Sequence, residues 1–107
     1  MKTSELSGAA LDWAVAKCEG IQWEQGDLDA QEYGPGFEPS TNWAHGGPII
    51  ERARLDITPW PNESDENLRW QCHQHDNIDC VMFGPTPLIA AMRCYVASKL
   101  GDEVEIP

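Results

Sequence analysis

Three stretches of the chain carry residue types that bind or react. The first holds Cys72, His73, His75 and Cys80 within nine positions. Thiolate sulfur and neutral imidazole nitrogen are the usual zinc ligands. A strand here alternates its side chains, so Cys72 goes to one face and His73 with His75 to the other. A hairpin brings Cys80 towards Cys72 and leaves the imidazoles behind. The expectation is two buried thiols, two exposed histidines and no bound metal.

The second stretch is Asn42-Trp43-Ala44-His45-Gly46-Gly47-Pro48. Paired glycines let a ligand or a second backbone approach closely. Trp43 offers a stacking face and one N–H donor. Amides at the start of the helix that follows can hold an anion. Arg52 and Arg54 are the first positive charges after a long acidic stretch and could complete such a site, or pair on the surface with Glu51 or Asp56. Two readings stand. One is a small-ligand pocket made by Ser40, Thr41, Asn42, Trp43, His45, Gly46, Gly47 and Arg52. The other is a Gly-Gly turn packed under the last helix, with Trp43 in the core.

The third stretch, Gly84-Pro85-Thr86-Pro87, opens a helix at a strand end. Thr86 can face an anion there or simply cap the helix. No nucleophile arrangement accompanies these stretches. Ser7, Ser40 and Ser98 read as caps or surface residues, and no Gly-x-Ser-x-Gly or phosphate-loop pattern occurs. With 18 carboxylates, no single pair stands out as an acid and base. The chain is expected to be no enzyme and to need no cofactor.

Helices and strands must position these groups. A helix is expected over residues 7–19, with Leu6 as staple, Ser7 as N-cap and Gly20 as its stop. Leu11, Ala14, Val15 and Cys18 share one face; Asp12, Lys17 and Glu19 project into solvent. Residues 24–39 read as an acidic surface loop, with a short strand around 21–23. Gly46-Gly47-Pro48 is costly inside a helix, at about 1 kcal/mol per Gly and ~3 for Pro. The expectation is therefore a short turn at 42–45, capped by Ser40 or Thr41, and a helix restarting over 48–53.

Leu55 and Ile57 alternate with polar neighbours up to Pro59, giving a first strand. A polar turn at 61–67 leads to a second strand through Leu68, Trp70 and Cys72. Asp76-Asn77 turns the chain into a third strand over 80–83. The last helix, 87–100, has Thr86 as cap, Pro87 in its first turn and Gly101 after its end. Leu88, Ile89, Met92, Tyr95, Val96 and Leu100 give it a wide apolar stripe, and the tail 102–107 is expected to fray. The class is α+β, a small three-stranded antiparallel sheet packed between helices, in the order α-loop-α-β-β-β-α.

At 107 residues with 41% hydrophobic content, one domain over residues 1–107 has enough apolar mass for a core. The net charge of −11 argues against direct nucleic-acid binding. No apolar run reaches the ~20 residues of a membrane span, and without a basic n-region followed by an apolar stretch, secretion is not expected. The four cysteines are therefore expected to stay reduced. Five tryptophans exceed what so small a core needs, so some should line an interface; Trp60, between two prolines, belongs at a loop tip. Two uncovered sheet edges suggest a homo-oligomer.

Three segments carry a resemblance. They are residues 3–20 (TSELSGAALDWAVAKCEG), 39–52 (PSTNWAHGGPIIER) and 84–107 (GPTPLIAAMRCYVASKLGDEVEIP). Together they resemble the NinX family of lambdoid and related tailed phages, and a wider phage group with an ABA-sandwich fold. Trp70 stands where that family usually has a Trp; Trp70 and Thr86 complete the candidate ligand-binding residues. The resemblance implies a phage origin, a small α/β fold and a dispensable accessory role, and does not imply a catalytic motif; composition and the lack of an export signal point to the host cytoplasm.

Three readings of function follow from this. A binding protein would sequester a small anionic, nucleotide-type host immune signal. An acidic inhibitor would cover a basic surface on a host nucleic-acid-binding or defence protein, helped by the Lys- and Arg-free stretch 18–51. A zinc-stabilised structural protein ranks third.

Overall fold

The computed structural model describes residues 1–20, 37–60 and 65–105. The expected loop strand at 21–23, most of the acidic loop, part of the 61–67 turn and residues 106–107 lie outside this set. Helix α1 (Gly8–Cys18) is followed by α2 (Trp43–Ala53), strands β1 (Leu55–Pro59), β2 (Trp70–Gln74) and β3 (Asn77–Gly84), and helix α3 (Pro87–Leu100). The α+β class and the element order are as the sequence predicts.

The sheet is antiparallel with order β1-β2-β3. Ile57 pairs with Cys72, and Cys72 with Met82, so these three share one row. That row faces α3, which packs against all three strands. Helices α1 and α2 pack on α3 in turn. The layers among the described residues are therefore sheet, α3, then α1 with α2, so α3 rather than the sheet is the enclosed element, and the expected helices on both faces of the sheet are not found there.

Enclosure explains why α3 buries more than a stripe. Leu88, Ala90, Ala91, Met92, Cys94, Tyr95 and Val96 are all buried. Its small residues admit neighbours on two sides. At Gly84 an added Cβ would lie 2.6 Å from the Ala90 nitrogen, so the helix backbone rests directly on the end of β3. Full burial of Leu11, Met92 and Val96 stabilises by about 1.5–3 kcal/mol each. Arg93 is the polar exception. It is 5% exposed; Nε donates to the Leu6 carbonyl and Nη1 to the Phe83 carbonyl, both at 2.8 Å. Burial pushes its pKa below the ordinary guanidinium value.

Several expectations need correction. Asp12 is buried, not solvated, because the segment before α2 folds over it. α2 runs unbroken from Trp43 through Gly46, Gly47 and Pro48, because α3 packs against the glycine that propensity penalises. Its cap is Asn42, whose side chain accepts from the Ala44 amide, rather than Ser40 or Thr41. Arg54 ends it in the left-handed conformation, φ 56°.

Leu68 lies in a 3-10 turn, Glu66–Leu68, so β2 begins at Trp70. β3 starts at Asn77 because the turn residues are His75 and Asp76. The tail is pinned as far as Val104, which is 4% exposed and exchanges hydrogen bonds with Met1 in both directions at 2.9 Å.

Candidate functional site

Residues 37–42 and the first residues of α2, 43–47, hold most of the residues predicted to bind. Their backbone closes on itself. The Glu38 carbonyl accepts from the Thr41 amide at 3.1 Å and the Asn42 amide at 2.8 Å. The Asn42 carbonyl accepts from His45 at 3.0 Å and Gly46 at 2.9 Å, while its side chain takes the Ala44 amide at 2.9 Å. The Glu38 amide donates to His45 Nδ1 at 2.9 Å, and Phe37 stacks on the His45 ring. Every one of these amides already has an acceptor.

Ser40 is sealed at 1% exposure, and its amide donates to Asp12 Oδ1 at 2.8 Å. Burial raises the Asp12 pKa, and the Ser40 amide opposes the rise without cancelling it. Gly46 is buried against α3: an added Cβ would lie 2.6 Å from Leu88 Cδ2 and 2.7 Å from the Pro39 carbonyl oxygen. At Gly47 an added Cβ meets nothing within 4 Å. Trp43 is 55% exposed at the first position of α2. The core position that one reading allowed it is therefore excluded.

Other predicted site residues are engaged elsewhere. Arg52 Nη2 pairs with Glu19 at 2.5 Å and reaches the Tyr95 hydroxyl at 3.5 Å. Neither Glu51 nor Asp56 is its partner, because α1 brings Glu19 across to the last turn of α2. Burial acts to raise the Glu19 pKa, but Arg52 and Tyr95 outweigh it and hold the carboxylate below its usual range. Burial, then the hydrogen bond the Tyr95 hydroxyl donates to Glu19 at 2.5 Å and the Glu19 charge, push Tyr95 up to about 12. Thr86 caps α3, its hydroxyl accepting from the Ile89 amide at 3.1 Å. Trp70 is half-buried on the sheet face towards α3, two residues along β2 from Cys72, and packs against the core. Only residues 40–47 come together, with Leu88 of α3 beneath them.

His73 and His75 share the sheet face opposite Cys72, as alternation predicts. Both converge on Asp56 Oδ2, at 3.3 and 3.1 Å. Asp56 sits opposite His73 in register, between the inward-facing Leu55 and Ile57, so alternation along β1 alone sets it on the histidine face. Among the described residues no three His, Cys, Asp or Glu side chains are arranged to hold a metal ion. A groove of about 340 Å³ beside this cluster is lined by Ile50, Glu51, Arg54, Leu55, Asp56 and His75. Trp60 is 44% exposed and sets its ring edge-on to Phe83, 6.0 Å away, on the same sheet face as the histidines.

With the geometry in place, comparison with known proteins adds one finding. The family model described as Bacteriophage P22, NinX matches residues 2–99. No curated protein matches the chain.

Proposed function

The chain belongs to the phage NinX family, and from that premise we propose that this accessory protein acts by binding a basic surface on a host protein. The observation that carries the reading is Trp43. An indole 55% exposed on a helix start is a large apolar anchor held in position by a firmly capped backbone. Around it, the stretch 18–51 has no Lys or Arg, and the whole chain carries −11. Negative potential of that size steers a protein towards basic partners and away from nucleic acid. No described helix is long and apolar enough to cross a membrane. On this reading the protein works in the host cytoplasm and catalyses nothing, and the edges of β1 and β3, left open among the described residues, serve a homo-oligomer.

The second reading, sequestration of a small anionic nucleotide-type signal, draws support from the same exposed indole as a stacking face. It is weakened by its donors. The amides of Thr41, Asn42, Ala44, His45 and Gly46 are already bonded, and Arg52 is paired with Glu19. An anion must compete with each of them.

Immobilised wild type and Trp43→Ala, exposed to host lysate at low and moderate salt, separate the readings when retained proteins are identified by mass spectrometry. A basic host protein held by wild type, released by salt and lost in Trp43→Ala supports the first. Equal recovery by both forms, or no basic protein, overturns it. Calorimetry with a panel of cyclic dinucleotides tests the second, and heat from any of them would restore it to first place.

A further inference from the structure

Two thiols meet where β3 packs on α3. The Cys80 S–H donates to the Cys94 carbonyl at 3.8 Å, and the Cys94 S–H donates to the Cys80 carbonyl at 3.4 Å. The reciprocal contact sets the two residues side by side, each thiol against the other's backbone. All four cysteines are free. Cys72, fully buried on the neighbouring strand, approaches the Cys94 thiol as well. Access differs sharply among the three. Cys80 is half-buried and lines a groove of about 300 Å³ between β3 and the end of α3, with Gln74, Met82, Ser98 and Asp102. Cys94 lies behind it and is sealed.

We propose that Cys80 is a modification site for small-molecule disulfides entering this groove, and that Cys94 resolves the adduct into a Cys80–Cys94 disulfide. The Cys80 thiolate attacks one sulfur of the reagent. The reagent S–S bond breaks, a mixed disulfide forms on Cys80, and one reagent thiolate leaves with a proton from solvent. Cys94, losing its own proton, attacks the Cys80 sulfur and expels the second reagent thiol. Two protein thiols are oxidised and one reagent disulfide is reduced to two thiols. The product staples β3 to α3 at a contact they already make.

Burial pushes the Cys80 thiol up to about 11, while the contact with Cys72, and burial after it, raises Cys94 further. The thiolate fraction is small at neutral pH, so exchange is slow there and quickens as the solution becomes alkaline. This site is independent of Trp43 and of the partner reading.

The test incubates the full chain with glutathione disulfide across a pH series, quenches with acid, and reads intact mass and non-reduced peptides. Wild type and Cys72→Ser should lose about 2 Da as two hydrogens leave, with the Cys80 and Cys94 peptides joined. Cys94→Ser should stop at a stable glutathione adduct on Cys80, and Cys80→Ser should stay unmodified. Wild type that remains unmodified in alkaline solution overturns the proposal. So does a lasting adduct on wild-type Cys80, or a bond to Cys72 or Cys18. Should a serine variant fail to fold, the wild-type peptide map still decides.

Discussion

The Ser40 amide and the Asp12 carboxylate, 28 residues apart, meet at 2.8 Å and fasten the entry of α2 to α1. Asp12 is 7% exposed, so this hydrogen bond is made away from water. Asp12→Ala leaves the Ser40 amide without an acceptor and should cost about 1–3 kcal/mol in urea denaturation. Asp12→Asn keeps an acceptor and should cost less.

The two variants also differ in pH response. Asp12 has a raised pKa when folded, so the native state holds its proton more tightly than the unfolded chain. Stability therefore falls as pH rises from the unfolded value near 3.8 through the folded one. Asp12→Asn should remove that decline, and denaturation midpoints across the acidic range will show it. An unchanged profile would mean that Asp12 titrates alike in both states.

Glu19 behaves in the opposite sense. Its folded pKa is depressed, so its contribution is present above the unfolded value of 4.5 and is lost as pH falls through the folded one. Its partner gives a spectroscopic readout. Burial and the Glu19 charge set Tyr95 at about 12. Glu19→Gln removes the charge and leaves the burial, so the Tyr95 midpoint should drop below 12 and stay above the ordinary 10. Ultraviolet titration of phenolate formation, referenced to Tyr95→Phe, measures it.

Much of the fold was legible because its signals are local. Thr86-Pro87 and Gly101 bound α3 within a few residues, and alternation through Leu55, Ile57, Trp70 and Cys72 marks the sheet row. What failed to show is tertiary. Asp12 sits on the polar side of its own helix, and only a residue from a distant segment makes that side interior. The Gly46-Gly47-Pro48 break follows from propensity alone, which knows nothing of Leu88 lying against Gly46. At the candidate site, the grouping of Ser40 to Gly47 was readable because it is continuous in sequence. The diversion of Arg52 to Glu19 was not, because it depends on how α1 and α2 are both set against α3.

The adjacent glycines of α2 supply a contrast that tests this explanation. Gly46→Ala forces its Cβ to 2.6 Å from Leu88 and 2.7 Å from the Pro39 carbonyl oxygen, and should destabilise by about 1–3 kcal/mol. Gly47→Ala meets open space in a helix and should stabilise by about 0.5–1 kcal/mol. Paired denaturation curves settle the point. Equal effects at both positions would show that α2 does not run through this segment as described.

Trp43 should separate binding from stability. Its side chain is more than half exposed, so Trp43→Ala should shift the unfolding free energy by no more than about 0.5 kcal/mol. Met92→Ala empties a fully buried position in α3 and should cost about 2–5 kcal/mol. Loss of partner recovery in Trp43→Ala without loss of stability then reports on the surface. A large drop in stability would instead place the indole in a contact of the fold.

Arg93 carries the most exacting expectation. A buried cation with two backbone carbonyls as its acceptors ties the segment before α1 and the end of β3 to the middle of α3. Arg93→Ala leaves the Leu6 and Phe83 carbonyls unmatched and opens a cavity, at a combined cost of about 3 kcal/mol or more. Arg93→Lys keeps the charge but has a single ammonium in place of the planar fork that serves both carbonyls at once. It should recover only part of the loss. Hydrogen exchange distinguishes this tie from general packing: both variants should speed exchange first in β3 and in residues 3–6, ahead of α1. Uniform acceleration throughout the chain would show that Arg93 fills space without joining those two segments.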